Sequence, residues 1–290
     1  MKKHHFRLIN NDGSSNVIRQ KNEKWALDLY HSSLSASWTR FLFFTFVIYL
    51  GINLFFALIY FLYGAGGLAG VKNESPVLFF IECFFFSVQT FSTIGYGAIS
   101  LHSLFDNIVV SIQALTGLVS VGLMSGLFFA RFSRPTSKII HSKVALITNY
   151  DGKKVLTFRI ANARYNQIID AHVSVTMLKD HITHEGVHIR RMSDLELVRP
   201  KTLVFALSWT VMHIIDEKSP LFNLSIEDLD KLNSEIFVLA SGHDETFNQL
   251  VFSRFSYTAK DLILDRQFTD ILHRENGKVR VDIQKISELK

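Results

Sequence analysis

The chain has 290 residues, 26 of them Phe, yet charged residues still make up 20% of it. A uniformly soluble protein rarely carries so much Phe and a purely membrane-embedded one would carry fewer charges, so both uniform compositions are excluded. The net charge of +5 and the pI near 9.2 raise the question of a nucleic-acid partner, which the placement of the charges answers below.

Residues 1–23 are polar, with a turn cluster from Asn10 to Ser15. Leu27, Tyr30, Leu34 and Trp38 then recur at helical spacing, with Asp28, His31 and Ser35 on other faces. An ordinary surface helix fits this pattern. A helix lying in the headgroup plane fits it better, because a charge-free run follows directly and Trp38 marks an interface. From Phe41 to Tyr63 and again from Ile108 to Ala130 no residue is charged. Each run is about 23 residues, roughly 34 Å as a helix, enough to cross a hydrocarbon core of about 30 Å. The first run starts too late, is too long and lacks the cleavage site of a signal peptide.

Between the two runs, Gly64, Gly66, Gly67 and Gly70 open a turn, and Pro76 sits where a helix tolerates it, in the first turn. The apolar stretch Val77–Phe91 is about 15 residues, near 22 Å as a helix, too short to span and so read as re-entrant or buried. Cys83, the only cysteine, lies within it and reads as a buried structural thiol. Lys2, Lys3, Arg7, Arg19, Lys21, Lys24 and Arg40 precede the first span, and Arg131, Arg134, Lys138 and Lys143 follow the second, whereas the connection carries Lys72 against Glu74. The positive-inside rule therefore places both termini in the cytoplasm, with the basic excess against an anionic leaflet and no need for nucleic acid. Beyond residue 139, short runs at 144–147, 155–160, 172–178, 203–209, 236–240 and 250–255 are rich in β-branched and aromatic residues and predict a β-sandwich.

The chemistry concentrates in Thr93-Ile94-Gly95-Tyr96-Gly97, between the short helix and the second span. A dehydrated cation needs stacked rings of oxygen, which backbone carbonyls supply if successive residues turn them the same way, and glycines tolerate that backbone. The segment differs at one position from the Thr-Val-Gly-Tyr-Gly loops by which potassium channels replace an ion's hydration shell, so the reading follows a known case. Thr93, Ile94, Gly95 and Tyr96 would hold potassium ions as permeant ligands, with Thr93 adding its hydroxyl, and no other cofactor is expected. One chain supplies one wall, so four are needed to close a pore. The short helix directs its C-terminal dipole at the cavity, favouring a cation there. His181, His184 and His188 suggest a metal only weakly, since their spacing fits a turn between strands, and Glu82 on the short helix is left open between bracing and titration. No P-loop, dinucleotide fingerprint or nucleophile–base pair points to an enzyme.

Phe86-Ser87-Val88-Gln89-Thr90 before this segment, Ala130-Arg131-Phe132-Ser133-Arg134-Pro135 after the second span, Arg159–Arg164, His213–Leu221 and Ser253–Tyr257 resemble, in that order, the inward-rectifier potassium channels, closest to their prokaryotic (KirBac) branch. The resemblance implies a homotetramer with an immunoglobulin-like cytoplasmic domain, a slide helix at residues 24–37, and modulation by anionic phospholipid or phosphoinositide, inhibitory in the prokaryotic branch. By position, Gly117 resembles an inner-helix hinge and Phe129 a constriction that gates by dewetting, although a lipid-facing Phe fits the bare sequence as well. Val121 stands where strong rectifiers carry an acid, which puts strong rectification in doubt. Gly117, Val121 and Phe129 are expected to share roughly one helix face. Arg131, Arg134 and Lys138 resemble lipid-phosphate contacts. Animal relatives brace the filter with a Glu–Arg pair, whereas Gln89 and Ala98-Ile99 stand here, so other hydrogen bonds must do it.

The sequence therefore predicts a membrane α plus β protein, a multi-pass potassium channel subunit of the cell membrane. Residues 1–38 form an N-terminal segment, 39–132 the pore domain of outer helix, pore helix, filter and inner helix, and 133–290 the cytoplasmic sandwich. The rival readings are a non-selective two-span channel and a membrane-anchored β-sandwich binding module. The intact Gly95-Tyr96-Gly97 disfavours the first, and a second span with a pore helix disfavours the other.

Overall fold

The computed structural model describes residues 7–10, 13–17, 29–64, 68–71, 75–275 and 278–290. It divides into two compact units, one of residues 21–134 and one of residues 1–20 with 135–290.

The first unit is helical. Its elements are α1 (Leu29–Ser35), α2 (Trp38–Tyr63), α3 (Pro76–Phe91) and α4 (Leu104–Phe132), with short strands β1 (Leu68–Ala69) and β2 (Ser100–Leu101) pairing antiparallel around α3. Of the predicted slide helix, residues 24–28 lie outside the described residues, as do Gly66 and Gly67. The starts of the three long helices follow from one device. Ser37, Ser75 and Ser103 are extended N-caps whose hydroxyls accept the backbone N–H of Arg40, Leu78 and Asp106, each contributing about 1 kcal/mol. Pro76 takes the first helical position, as expected.

At 26 and 29 residues, α2 and α4 span about 39 and 43 Å, whereas the 16 residues of α3 reach only about 24 Å. Only 17% of the most apolar window of each long helix is buried within the chain, so most of that apolar surface is uncovered in the single chain. The buried remainder forms a core from Phe56, Ala57 and Tyr60 of α2, Phe79, Cys83 and Phe86 of α3, and Val109 of α4. Cys83 is buried and free, as a structural thiol would be.

The second unit is a sandwich of two five-stranded sheets. One contains β6 (Ile168–Ile182), β7 (His188–Asp194), β8 (Lys201–Phe205), β10 (Glu235–Asp244) and β11 (Gln249–Thr258). The other contains β3 (Ile139–His141), β4 (Ala145–Tyr150), β5 (Lys153–Asn162), β9 (Ser208–Ile214) and β12 (Leu262–Leu264). Pairing is antiparallel except for β12 against β4. Alternate residues turn inward, so Val173, Val175 and Met177 of one sheet and Leu156, Phe158 and Val211 of the other lie in one core. A short helix α5 (Ile226–Lys231) and a hairpin of β13 (Leu272–Glu275) and β14 (Lys278–Val281) complete it. His181, His184 and His188 fall at the β6–β7 turn, as their spacing suggested.

The run 203–209 is not one strand. The chain leaves the first sheet at Phe205 and enters the second at Ser208, changing sheets at Ala206-Leu207 without glycine or proline to mark the turn. The N-terminal stretch belongs to this unit. The N–H of Leu8 donates to both carboxylate oxygens of the buried Glu235, at 3.2 and 3.0 Å, and Arg7 reaches the Ser256 carbonyl and pairs with Asp261 at 3.6 Å. The expected N-terminal segment 1–38 is thus divided, its beginning with the sandwich and α1 with the helices.

His141 carries a pH consequence. Its ring stacks on Phe255, with centroids 5.0 Å apart and planes 9° apart, and its Nε2 meets Ser253 Oγ at 2.8 Å, while the sheltered Nδ1 has no partner among the described residues. Burial lowers its pKa from 6.5 to about 4. Because the folded state resists protonation and the unfolded chain does not, this group costs no stability above pH 6.5 and destabilises progressively as pH falls toward 4, by up to about 3 kcal/mol. Urea unfolding of the protein at pH 7 and pH 4.5 should show the loss, and His141→Gln, which keeps a donor for Ser253, should remove most of the difference.

Candidate ion-conduction site

The Thr93–Gly97 segment grows from the last turn of α3. Ser92 N–H donates to Val88 O at 3.0 Å, Thr93 N–H to Thr90 O at 3.1 Å and Ile94 N–H to Gln89 O at 2.8 Å, so its first residues are fastened to the helix end. From there φ alternates. Thr93, Gly95 and Gly97 take +57°, +54° and +77°, while Ile94 and Tyr96 stay on the ordinary side. A strand of uniform sign sends successive carbonyls to opposite faces. Alternating signs turn successive peptide planes the same way, gathering N–H groups on one side and carbonyls on the other. Glycine takes the left-handed positions freely, but Thr93 does so at a cost of about 1–2 kcal/mol, which its surroundings must hold in place. Ile94 is 50% and Tyr96 77% exposed in the single chain.

Behind this turn lies a chain of buried polar groups. The Tyr60 hydroxyl donates to Gln113 Oε1 at 2.7 Å, and Gln113 Nε2 donates to Ser87 Oγ at 2.7 Å and Ser87 O at 2.9 Å. The Ser87 hydroxyl donates to Asn53 Oδ1 at 3.0 Å, and Asn53 Nδ2 to Tyr49 O at 2.9 Å. Tyr60, Asn53, Ser87 and Gln113 are each 0% exposed, and between them they join α2, α3 and α4. Left unbonded in an apolar interior, each group would cost roughly 2–7 kcal/mol. Bonded, an interhelical hydrogen bond in a membrane contributes only about 0.6 kcal/mol on average. The network therefore adds little stability but strongly penalises any other arrangement of the three helices.

Two glycines let the backbone approach. A Cβ on Gly117 of α4 would stand 2.4 Å from the carbonyl oxygen of Phe91, the last residue of α3, and one on Gly70 would stand 2.1 Å from that of Ala98, just after the turn. Gly117 thus lets α4 close onto the end of α3 in this conformation. It is buried, whereas Phe129 is 75% exposed near the end of α4 and Val121 lies between, lining an apolar groove with Phe91 and Ser92. The expectation that all three share a face does not hold, because twelve residues at about 100° each carry Phe129 roughly 120° around the helix from Gly117.

Of the basic residues, Arg131 is buried and committed. Its guanidinium donates to Ser33 O and Ala36 O at the end of α1 and lies 4.6 and 4.8 Å from the ring centres of Trp38 and Phe41. It ties α1 to α4 through a helix C-terminus and a cation–π stack. Arg134 and Lys138 are exposed. The sequence does not single out Tyr60, Asn53, Ser87 or Gln113. The available signal was that each charge-free span contains one carboxamide, Asn53 in the first and Gln113 in the second.

Two spanning helices that enclose a short helix and a carbonyl-gathering turn define a pore-forming membrane protein. The inward rectifier potassium channel transmembrane domain matches residues 9–135, and the C-terminal domain of the same channels matches residues 139–290. The inward rectifier potassium channel Kirbac3.1 of Paramagnetospirillum magnetotacticum is 38% identical, over 98% of this chain and 95% of its own. Inward rectifier potassium channel 18 of Homo sapiens and ATP-sensitive inward rectifier potassium channel 12 of Mus musculus are each 27% identical over 95% of this chain, and over 69% and 70% of theirs. The chain belongs to the inward rectifier potassium channel family. It is a potassium channel subunit and a membrane protein, not an enzyme.

The contact at Gly117 separates packing from hinging. Gly117→Ala should lower the thermal stability of the detergent-solubilised protein by about 1–3 kcal/mol, because the methyl must displace backbone. A residue that served only as a hinge would change ion flux with the melting temperature unmoved.

Proposed function

We propose that four copies of this chain close a potassium-selective pore, with the carbonyls of Thr93, Ile94, Gly95 and Tyr96 as its ion sites and Gly97 ending the filter. The observation that carries this reading is the alternating backbone of Thr93–Gly97 seated on the C-terminal end of α3, where carbonyls gather and the helix dipole favours a cation. The exposed Ile94 and Tyr96 and the largely uncovered α4 would be buried against the other copies. The basic flanks support a cytoplasmic side for both termini and the sandwich. On this reading the pore domain runs to about residue 132 and the cytoplasmic sandwich follows from residue 133, with the start of the N-terminal segment grouped with the sandwich and α1 with the helices.

Near the cytoplasmic end of α4, four Phe129 rings would form an apolar constriction that shuts by dewetting, with Val121 lining the path above it. Arg134 and Lys138 would meet anionic phospholipid or phosphoinositide, at about 1 kcal/mol per charge. Arg131 would act beside them by holding α1 rather than by touching lipid.

Rubidium uptake into proteoliposomes tests the reading. Protein migrating at about four times 33.2 kDa should carry rubidium and potassium well above sodium and be blocked by barium. Equal sodium and potassium flux through intact tetramers would overturn it. Phe129→Ala should raise resting uptake at an unchanged potassium-to-sodium ratio, since the filter is untouched, and uptake no higher than the parent's would move the constriction elsewhere.

A further inference from the structure

Between Cys83 and Leu101 the sequence holds no Asp, Glu, Lys or Arg, so whatever keeps the filter turn in register does so without a formal charge among its own residues. The turn itself is strained at Thr93 and fastened by its own backbone only as far as Ile94. Its seat, the end of α3, must therefore be placed by side chains.

The buried chain of hydrogen bonds supplies that placement. The bonds run in one sense, from Tyr60 to Gln113, from Gln113 to Ser87, from Ser87 to Asn53 and from Asn53 to the Tyr49 carbonyl. The Tyr60 hydroxyl donates at the head, the Ser87 hydroxyl both accepts and donates, and each carboxamide presents its oxygen to one neighbour and its nitrogen to the next. One orientation of Asn53 and one of Gln113 satisfies the series, and head-to-tail bonds polarise one another in a dry interior. Ser87, where three of these bonds meet, lies two residues before Gln89, whose carbonyl fastens Ile94. The chain then reaches the filter by a second route. Tyr49 packs its ring edge-on against Phe91 at 5.5 Å, and its hydroxyl meets Ser92 Oγ at 3.2 Å, one residue before Thr93.

We propose that the neutral chain Tyr60–Gln113–Ser87–Asn53 is the positioning element of the selectivity filter, setting where the end of α3 sits and hence the radius of the carbonyl rings that separate potassium from sodium. This rests on the assignment of Thr93–Gly97 as the filter. None of the four residues touches an ion. Gln113 is central, because it alone bonds both α2 and α3 from α4, and its loss frees α3 to shift by fractions of an ångström. Gly117, one helical turn further on, holds the same helix end from below through its contact with Phe91.

The test compares the parent with Gln113→Leu, Tyr60→Phe and a control, Ser111→Ala, whose exposed hydroxyl bonds only the Asn107 carbonyl of its own helix. Each is purified as a tetramer, reconstituted, and assayed for rubidium uptake against potassium and sodium gradients, with thermal melting alongside. Gln113→Leu should lose about tenfold or more of the parent's potassium-over-sodium ratio, a scale in keeping with small misplacements of a working group. Tyr60→Phe, which removes one hydroxyl from the end of the chain, should lose about two- to fourfold. Ser111→Ala should match the parent. A chain that merely stabilised the fold would lower the melting temperature and the number of active channels at an unchanged ratio, and that outcome overturns the proposal. If Gln113→Leu yields no tetramer, Tyr60→Phe decides, and an unchanged ratio there overturns the proposal as well. A parent that does not distinguish the two ions would refute the filter assignment itself, separately from the positioning role.

Discussion

An irregular stretch of backbone at membrane depth has no water to bond with, and the arrangement of the helical unit follows from that constraint. α2 and α4 satisfy their own peptide groups and need only capping serines at their starts. The Thr93–Gly97 turn cannot do the same. It is fastened to α3 by its first residues, α3 is fastened to α2 and α4 by Tyr60, Asn53, Ser87 and Gln113, and two glycines bring the neighbouring backbone close enough for the assembly to pack. A polar group removed from this set leaves its partner unpaired in a dry interior, which makes the arrangement specific although each bond contributes little.

Charge is used differently in the two units. Among the described residues of the helical unit, Arg131 is sheltered by placing its guanidinium against two aromatic rings and two helix-terminal carbonyls, which take its two terminal nitrogens while its Nε finds no partner among those residues. The sandwich accepts a buried carboxylate, Glu235, because the N-terminal stretch brings backbone N–H groups to it, and buries Tyr257 with its hydroxyl donating to the Ser142 carbonyl. The same accounting governs both: a buried polar group is kept where a partner of complementary type is already fixed.

The resemblance to inward rectifiers and the geometry inform different questions. Family membership establishes a potassium channel subunit. What the geometry adds is the set of buried hydrogen bonds that joins α2, α3 and α4. Gln89 and Ala98 carry no charge, and the buried polar groups that join the helices are a serine, two carboxamides and a tyrosine.

Hydropathy and length outlined the two spans and the short helix, because length without charge is a one-dimensional property, and the glycines of Thr93–Gly97 marked the turn directly. Short runs of β-branched and aromatic residues likewise located β4, β5, β6, β10 and β11, whereas β3, β7 and β12 fall outside every such run. They did not reveal the change of sheet at Ala206-Leu207, where a continuous β-rich run hides a corner that only pairing partners define. Nor could sequence distance show that Tyr60 and Gln113, 53 positions apart, share a hydrogen bond, or that Gly117 meets the Phe91 carbonyl. A basic flank reads the same whether its arginine faces lipid or caps a helix. Which of these Arg131 does depends on where α1 and Trp38 lie, and only the folded chain brings them together.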